Sequence, residues 1–439
     1  MLVSCSSSVK ELPLISLGLM SGTSMDGIDA AMLRTNGDCY IEELGSHSLR
    51  YTSETKVLLK SAEYAIRECK GDMIKAALNY TKFLDLYLRS ELKIHSTQIA
   101  SKMEALAFDL YSSSGQPMTL DGIIQHSTWL HGQLVMDFLK IARKDRNEID
   151  VVGYHGQTMY HQPNNRVSII IGNGQALADQ IGIKVVNDFR ACDIAAGGKG
   201  APLAPLYHLA LSKRDRKIPL AIVNCGGISN ITIIPDDNPL HLIGFDAGPG
   251  NGLIDRLVGQ RTFGQESMDK DGRYGEKGVV NEVAFKALCD RSIIKDGVNY
   301  LLMPPPKALD IGDFVLVSEL DSLSLEDACR TLEAFTAHVI VSSINLSQLP
   351  SHWVLVGGGW KNPVIVSELK NRLSFLGIDQ RNIRIADEIQ WNNDAVEAQI
   401  FAYFAVRSLY GYPLSYPGTT GVAKPITGGK IHIPCSGGK

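Results

Sequence analysis

The sequence predicts a duplicated α/β fold of two lobes, and three observations carry that expectation. Apolar runs of strand length alternate with stretches whose apolar residues recur every three or four positions, the period of a helix. A strand, a Gly/Ser turn and a second strand occur near the start of the chain and return about two hundred residues later. At 439 residues the chain is too long for a single core, so two domains are expected.

The elements follow in order. Leu14 to Met20 and Ile28 to Leu33 form a hairpin, a helical region runs from Glu54 to Ser112, and a helix spans Leu130 to Arg143. Apolar strands then lie at Asp150–Tyr154, Val167–Ile171 and Ile183–Val186. The second set opens with Ile218–Asn224, turns through Cys225-Gly226-Gly227-Ile228-Ser229-Asn230 and resumes as Ile231–Ile234. It continues through a strand at Leu242–Asp246, a helix at Ser324–Leu346, a strand at Trp353–Val356 and a closing helix at Asn393–Tyr410. The charged stretch Lys213–Lys217 marks the boundary and divides the chain into lobes of residues 12–215 and 216–430.

Composition narrows the class. With 44% hydrophobic residues, 21% charged residues and a formal net charge of −4, the chain reads as a soluble globular enzyme with no bias toward nucleic acid or a membrane surface. The apolar run Leu12–Met20 lacks a basic leader and a small-residue cleavage site, so it reads as the first strand. Eight cysteines are scattered without a C-x-x-C pair, which argues against a zinc site or a disulfide framework and fits a reducing, cytoplasmic compartment.

Three glycine-rich turns are candidate anion sites. In the first, Gly22 and Gly27 permit close backbone approach, Thr23 and Ser24 add hydroxyls, and Asp26 and Asp29 are suited to a hydrated Mg2+; Met25 and Ile28 complete the segment. An ordinary hairpin turn fits the same residues. The repeated turn offers Gly226, Gly227 and Asn230, and a third cluster, Gly357-Gly358-Gly359 with Asn362, follows a strand and opens a helix, where a dipole favours an anion. Tight packing alone also accounts for such glycines. Asp246-Ala247-Gly248-Pro249-Gly250-Asn251 is a fourth turn of this kind, and neither a G-x-x-x-x-G-K-[ST] loop nor a well-placed G-x-G-x-x-G occurs.

The candidate base is Asp188, at the end of a buried strand where ligands bind in α/β sheets. A carboxylate there takes the proton of an acceptor and orients it. Capping of the following turn by Asp188 and a structural pairing with Arg190 are the alternatives. His155, at the end of a strand, is either a satisfied turn histidine or a sugar contact. Glu397 opens a helix whose dipole favours an acid, with Asp394 near the cap. Asp269-Lys270-Asp271-Gly272 has its glycine too early for a calcium loop and reads as an ordered polar turn.

From Leu17 to Gly429 the chain resembles the anhydro-N-acetylmuramic acid kinases, relatives of levoglucosan kinase in the actin-like (ribonuclease H-like) superfamily. The matching segments include Met20-Ser21-Gly22-Thr23-Ser24-Met25-Asp26-Gly27-Ile28-Asp29, His155-Gly156-Gln157-Thr158, Asp188-Phe189-Arg190, Gly200-Ala201-Pro202-Leu203, Asn224-Cys225-Gly226-Gly227-Ile228-Ser229-Asn230, Phe245-Asp246-Ala247-Gly248-Pro249-Gly250-Asn251 and Gly357-Gly358-Gly359. The resemblance implies a nucleotide cleft between the lobes. It also implies an ATP- and Mg2+-dependent kinase that opens the 1,6-anhydro bridge with water while O6 takes the γ-phosphate. Asp188 then looks like the base for water, the Gly22–Asp29 turn like the phosphate loop, Asp26 like a metal contact, and Glu397, His155 and Arg190 like sugar contacts.

The departures bear on the substrate. Pro305-Pro306-Lys307 is followed by Ala308-Leu309-Asp310-Ile311-Gly312 where the family usually carries Ser/Thr-Thr-Gly-Arg-Glu, Lys199 replaces a usual Gln, and Gln390-Trp391-Asn392 replaces Gly-(Ile/Val)-Pro. The loss of Arg and Glu predicts weaker selectivity for the muramic sugar. Levoglucosan, another anhydrohexose and a noncatalytic sugar or nucleotide sensor on the same fold stay open as alternatives, as does a homodimer.

Overall fold

The computed structural model describes residues 11–162, 166–293, 297–307, 309, 311–344, 349–391 and 395–435. The chain divides into two compact units. The first comprises Met1–Ala210, Ala395–Tyr416 and Val422–Lys439, and the second Leu211–Asp394 with Pro417–Gly421.

The first unit opens with β1 (Leu14–Ser21), β2 (Gly27–Thr35) and β3 (Ile41–Arg50). The long helical region expected from the sequence is four helices, α1 (Ser53–Glu68), α2 (Met73–Leu78), α3 (Tyr80–Ser90) and α4 (Ile99–Ser114), followed by α5 (Leu120–Ala142). The breaks are local: Thr52 and Asp72 cap α1 and α2 through their side chains, and Lys70 and Gly71 between them take positive φ. Then come β4 (Val151–Gln162), β5 (Val167–Ile171), α6 (Gly174–Ile181), β6 (Val185–Asn187) and α7 (Ala191–Ala195). Helix α8 (Ala204–Asp215) carries the chain out of this unit.

In the second unit β7 (Leu220–Cys225), β8 (Ile228–Ile234) and β9 (Ile243–Pro249) repeat the opening meander. They are followed by α9 (Gly252–Arg261), α10 (Glu282–Asp290), α11 (Leu325–Ser342), β10 (His352–Val356), α12 (Pro363–Phe375) and β11 (Ile383–Ile385). The chain ends with α13 (Val396–Leu409), α14 (Pro417–Thr420) and β12 (Lys430–His432).

The duplication is visible in the strand paths. The first sheet runs β12-β6-β4-β1-β2-β3 with β5 beside β4, and the second runs β11-β10-β7-β8-β9. In each, three antiparallel strands are followed by a parallel neighbour of the first strand and a further parallel strand. This is the actin-like, ribonuclease H-like arrangement.

The C-terminal segment departs from the expected division. The helix assigned by sequence to the second lobe, α13, packs on β1, β2 and β4 of the first sheet. Its expected start at Asn393 lies outside the described residues, as does Asp394. The physical reason is a matched pair of glycines: a Cβ at Gly18 of β1 would lie 1.9 Å from the Ala398 carbonyl oxygen, and one at Gly153 of β4 would lie 2.0 Å from that of Phe401. A glycine inside a strand costs about 0.5–1 kcal/mol. Burying a Phe side chain such as Phe401 returns about 1.5–3 kcal/mol, so the close approach is favoured. On the opposite face of β1, Leu17 and Leu19 pack with Leu134, Val135 and Phe138 of α5.

Among the described residues every cysteine is free, and no helix is long and apolar enough to cross a membrane. Asp269 anchors the turn expected at 269–272 by accepting the Tyr274 and Gly275 backbone N–H groups, both at 3.0 Å.

Candidate active site

The β1–β2 turn is held by its carbonyls. The Gly22 carbonyl accepts from the Met25 N–H at 3.1 Å and from Gln157 Nε2 at 2.9 Å, and the Thr23 carbonyl accepts from Lys60 Nζ at 3.1 Å. Across a planar trans peptide the next N–H points the opposite way. The Thr23 and Ser24 N–H groups are therefore turned away from these partners, beside their exposed hydroxyls. Met25 and Ile28 contribute packing instead: both side chains are fully buried, Met25 among the α1–α4 helices and Ile28 beneath the sheet.

The two glycines of this turn differ. A Cβ on Gly22 would find its nearest neighbour, Ser24 Oγ, 3.8 Å away, so none of the described residues fills that space. One on Gly27 would strike the Leu49 carbonyl oxygen at 2.3 Å. Gly27 is thus required by the approach of β3. Gly22 alone has a vacant side-chain volume on the turn's open side.

Beside the middle of β4, at Tyr154–Gly156, and the C-terminal end of β6 a cavity of about 430 Å³ opens within the first unit; His155, expected at a strand end, lies in mid-strand because β4 runs on to pair with β5. Its wall includes His155, Asn187, Asp188 and Arg190. Asp188 directly follows β6, has an exposed carboxylate and takes φ +54°, a left-handed conformation that Asp and Asn tolerate better than most residues. Arg190 is fixed on both sides, donating to the Gly200 carbonyl at 2.6 Å and to His155 Nε2 at 3.2 Å. His155 must therefore carry its proton on Nδ1, which donates to the Gly156 carbonyl at 2.9 Å. Burial, reinforced by Arg190, pushes the imidazole down to about 3, so it stays neutral. Arg190 is lowered by burial to about 10 against the opposing pull of Glu397 and Asp193, and it keeps its charge at neutral pH. Asp193 closes the 193–200 loop by accepting the Gly200 N–H at 2.7 Å. Helix α13 backs this arrangement, with the Phe401 ring 4.5 Å from His155 and 5.5 Å from Phe189.

Glu397 lies in the first turn of α13. Its side chain reaches the surface, yet loss of hydration among the surrounding protein first and the Asp29 carboxylate second push it above the ordinary carboxylate range, while Arg190 pulls it back. Asp29 accepts from Ser48 Oγ at 2.6 Å. Glu397 therefore senses both Asp29 and Arg190. Asp26 does not join them: it is ion-paired with Lys56 of α1, and that hydrogen bond holds it below the ordinary carboxylate range. Among the described residues no three His, Cys, Asp or Glu side chains converge as a ready metal cage.

The second unit builds its turn in the same manner. The Gly226 carbonyl accepts from the Asn251 N–H at 2.8 Å, and the Gly227 carbonyl from Gly250 at 3.0 Å and Gly252 at 3.2 Å. The following N–H groups, of Gly227 and Ile228, point the other way. Asn230 sits on β8, paired in register with Asn224 and Asp246. Of the three consecutive glycines, Gly357 and Gly359 are packed: their Cβ atoms would lie 2.2 Å from Asn224 Oδ1 and 2.5 Å from Cys225 Sγ. Around Gly358 nothing lies within 4 Å. Asn362 is engaged as the α12 cap, accepting the Val364 N–H at 2.9 Å and donating to Glu333 Oε1 at 2.7 Å. Burial raises Glu333 to about 8.

The comparisons with known proteins can be set on this geometry. Residues 86–434 match the family model for anhydro-N-acetylmuramic acid kinase. The anhydro-N-acetylmuramic acid kinase of Nitrobacter winogradskyi is 36% identical over 424 residues, covering 95% of this chain and 99% of the relative. That of Rhizorhabdus wittichii is 36% identical over 422 residues, covering 96% and 99%. The chain belongs to the anhydro-N-acetylmuramic acid kinase family. It is accordingly a phosphotransferase of the class that uses an alcohol acceptor, a kinase family that implies ATP.

Against that family background the first unit supplies residues that motif reasoning passed over. Lys430 and His432 of β12 and Gln125 of α5 also line the cavity around Asp188. The only sequence signal was the alternation Lys430-Ile431-His432, too short to stand out. In the altered family segment, Ala308 and Asp310 lie outside the described residues. Leu309 packs against the second unit's core, and its N–H donates to Asp246 Oδ2 at 2.9 Å.

Proposed function

We propose that the protein is an ATP-dependent kinase for 1,6-anhydro-N-acetylmuramic acid that opens the anhydro bridge with water and leaves the phosphate on O6. The carrying observation is Asp188, an exposed carboxylate held in a left-handed backbone at the wall of a cavity it shares with Arg190 and neutral His155. ATP supplies the phosphoryl group and Mg2+ offsets its charge. The Thr23 and Ser24 N–H groups suit the phosphates, and the carboxylates of Asp26 and Asp29 suit the hydrated metal.

Asp188 accepts a proton from the water that attacks C1. The C1–O6 bond breaks and O6 attacks the γ-phosphorus, whose bond to the β–γ bridging oxygen breaks to release ADP; the new C1–O and O6–P bonds replace C1–O6 and P–O, and the proton from water rests on the carboxylate. Arg190 orients the sugar oxygens, and Glu397 holds the ring through a hydrogen bond that its raised affinity for a proton strengthens. A cytoplasmic location fits such a substrate.

Incubation with ATP, Mg2+ and the anhydro sugar in 18O-water tests this reading. ADP and N-acetylmuramic acid 6-phosphate should form in equal amounts, with the label on C1 and none in the phosphate. Label in the phosphate would refute the water-at-C1 mechanism, and the absence of ADP with this sugar and with levoglucosan would favour a sensor.

Gly22→Val tests the phosphate turn. Because the added side chain meets only open space and Gly22 lies outside the left-handed region, the variant should fold normally. Its affinity for Mg-ATP by calorimetry should fall at least about 10-fold, or ~1.4 kcal/mol. Unchanged affinity would remove the turn from the nucleotide site.

A further inference from the structure

The C-terminal strand β12 does more than cover a sheet edge. It pairs antiparallel with β6, placing Lys430 opposite Asn187 and His432 opposite Val185. Alternation sends Lys430 and His432 to the same face, and both line the cavity that holds Asp188. Ile431, between them, is exposed on the other face. The strand is fixed in this register: His432 Nε2 donates to Asn187 Oδ1 at 2.9 Å. Gly174 leaves the room for that bond, since a Cβ there would lie 2.6 Å from the His432 ring and 2.9 Å from Asn187 Cγ.

This delivers an ammonium across the ladder from the residue before the candidate base, at the range of cross-strand neighbours. The other cation of the wall, Arg190, is occupied by Gly200 and His155. Lys430 is exposed to the cavity and has no protein acceptor among the described residues. The Asp121 and Asp188 carboxylates share the wall but no ion pair joins either to Lys430 among the described residues, so its ammonium is open to an anion carried by the ligand.

Resting on the sugar-kinase reading above, we propose that Lys430 is a specificity-determining residue that pairs with the lactyl carboxylate of the muramic sugar. That carboxylate is the feature distinguishing this sugar from 1,6-anhydro-N-acetylglucosamine, which has the same ring and acetamido group without the lactyl ether. Recognition of it in the first unit does not draw on the altered 308–312 segment of the second. The preference for the muramic sugar should therefore survive the loss of that segment's Arg and Glu.

The test compares kcat/KM for the two sugars in the wild-type protein, Lys430→Met and Lys430→Arg, with calorimetric titration of each sugar and a melting curve for each variant. A charge-assisted hydrogen bond of this kind corresponds to a discrimination of about 10- to 100-fold. The preference for the muramic sugar should fall by that factor in Lys430→Met, chiefly through KM and binding, and should be largely restored in Lys430→Arg. An unchanged preference, an equal loss on both sugars, or a rise confined to the KM for ATP would overturn the assignment; the last would give Lys430 to a phosphate. A wild-type protein that binds and turns over neither sugar would instead strike the sugar-kinase reading, and the Lys430 assignment would fall with it.

Discussion

Asp188→Asn is expected to lower turnover by about 10²–10⁴ or more while leaving ATP affinity and the melting curve close to those of the unaltered protein. Asn is the right probe for two reasons. It keeps the size and hydrogen-bonding shape of the side chain and removes only the proton acceptor. It also tolerates φ +54° as well as Asp does, so the backbone at this position gains no strain. Steady-state ADP release gives the loss of turnover, and calorimetry with Mg-ATP shows whether binding is spared. Near-normal turnover on the muramic sugar would exclude Asp188 as the base. A parallel loss of nucleotide affinity would assign it to binding. Asp188→Ala, lacking both the carboxylate and the tolerance for a left-handed backbone, should show the same catalytic loss with a measurable drop in stability in addition.

Much of the architecture was legible because local patterns and tertiary burial agree. Leu17 and Leu19, Val151 and Val152, and Leu220 to Val223 are apolar runs that became buried strands. The recurrence of strand, Gly/Ser turn and strand marks the two copies of one sheet. The place of Asp188 at the cavity wall is legible for a similar reason, since a polar residue directly after a buried parallel strand falls at the end where cavities form. What local pattern does not carry is destination. The apolar residues of α13 specify a buried helix, yet nothing in their spacing says which sheet receives it. That information resides in Gly18 and Gly153, far away in sequence. Strand β12 has three residues and exists through its pairing with β6, so the alternation of its Lys430 and His432 is too short to mark a strand. The glycine motifs show the same limit. Gly22 and Gly358 border open space, while Gly27, Gly357 and Gly359 are filled by neighbouring backbone and side chains, and the letter G is identical in each case.

Gly153→Ala should be among the most damaging single substitutions in the chain, although it adds one methyl group. The new Cβ would lie 2.0 Å from the Phe401 carbonyl oxygen and 2.6 Å from its carbon, and both atoms belong to the backbone of α13. A side-chain neighbour can rotate away; a helix must move as a body. Overpacking typically costs about 1–3 kcal/mol, and a clash with helix backbone falls at the upper end of that range, a large share of the 5–15 kcal/mol that typically separates folded from unfolded protein. The damage should also be regional. Helix α13 packs on β1, β2 and β4 and its Phe401 ring lies against His155 and Phe189, so lifting it loosens the wall around Asp188. Hydrogen exchange should accelerate in β1, β4 and α13 while β7, β8 and β10 keep their protection, and turnover should fall with the loss of order. Gly358→Ala, whose added methyl meets nothing within 4 Å, is the matched control and should retain wild-type exchange throughout. Unaltered protection of β1 and β4 in Gly153→Ala would mean that α13 can shift without cost, and the close approach of helix to strand would then no longer explain why the C-terminal segment folds with the first unit.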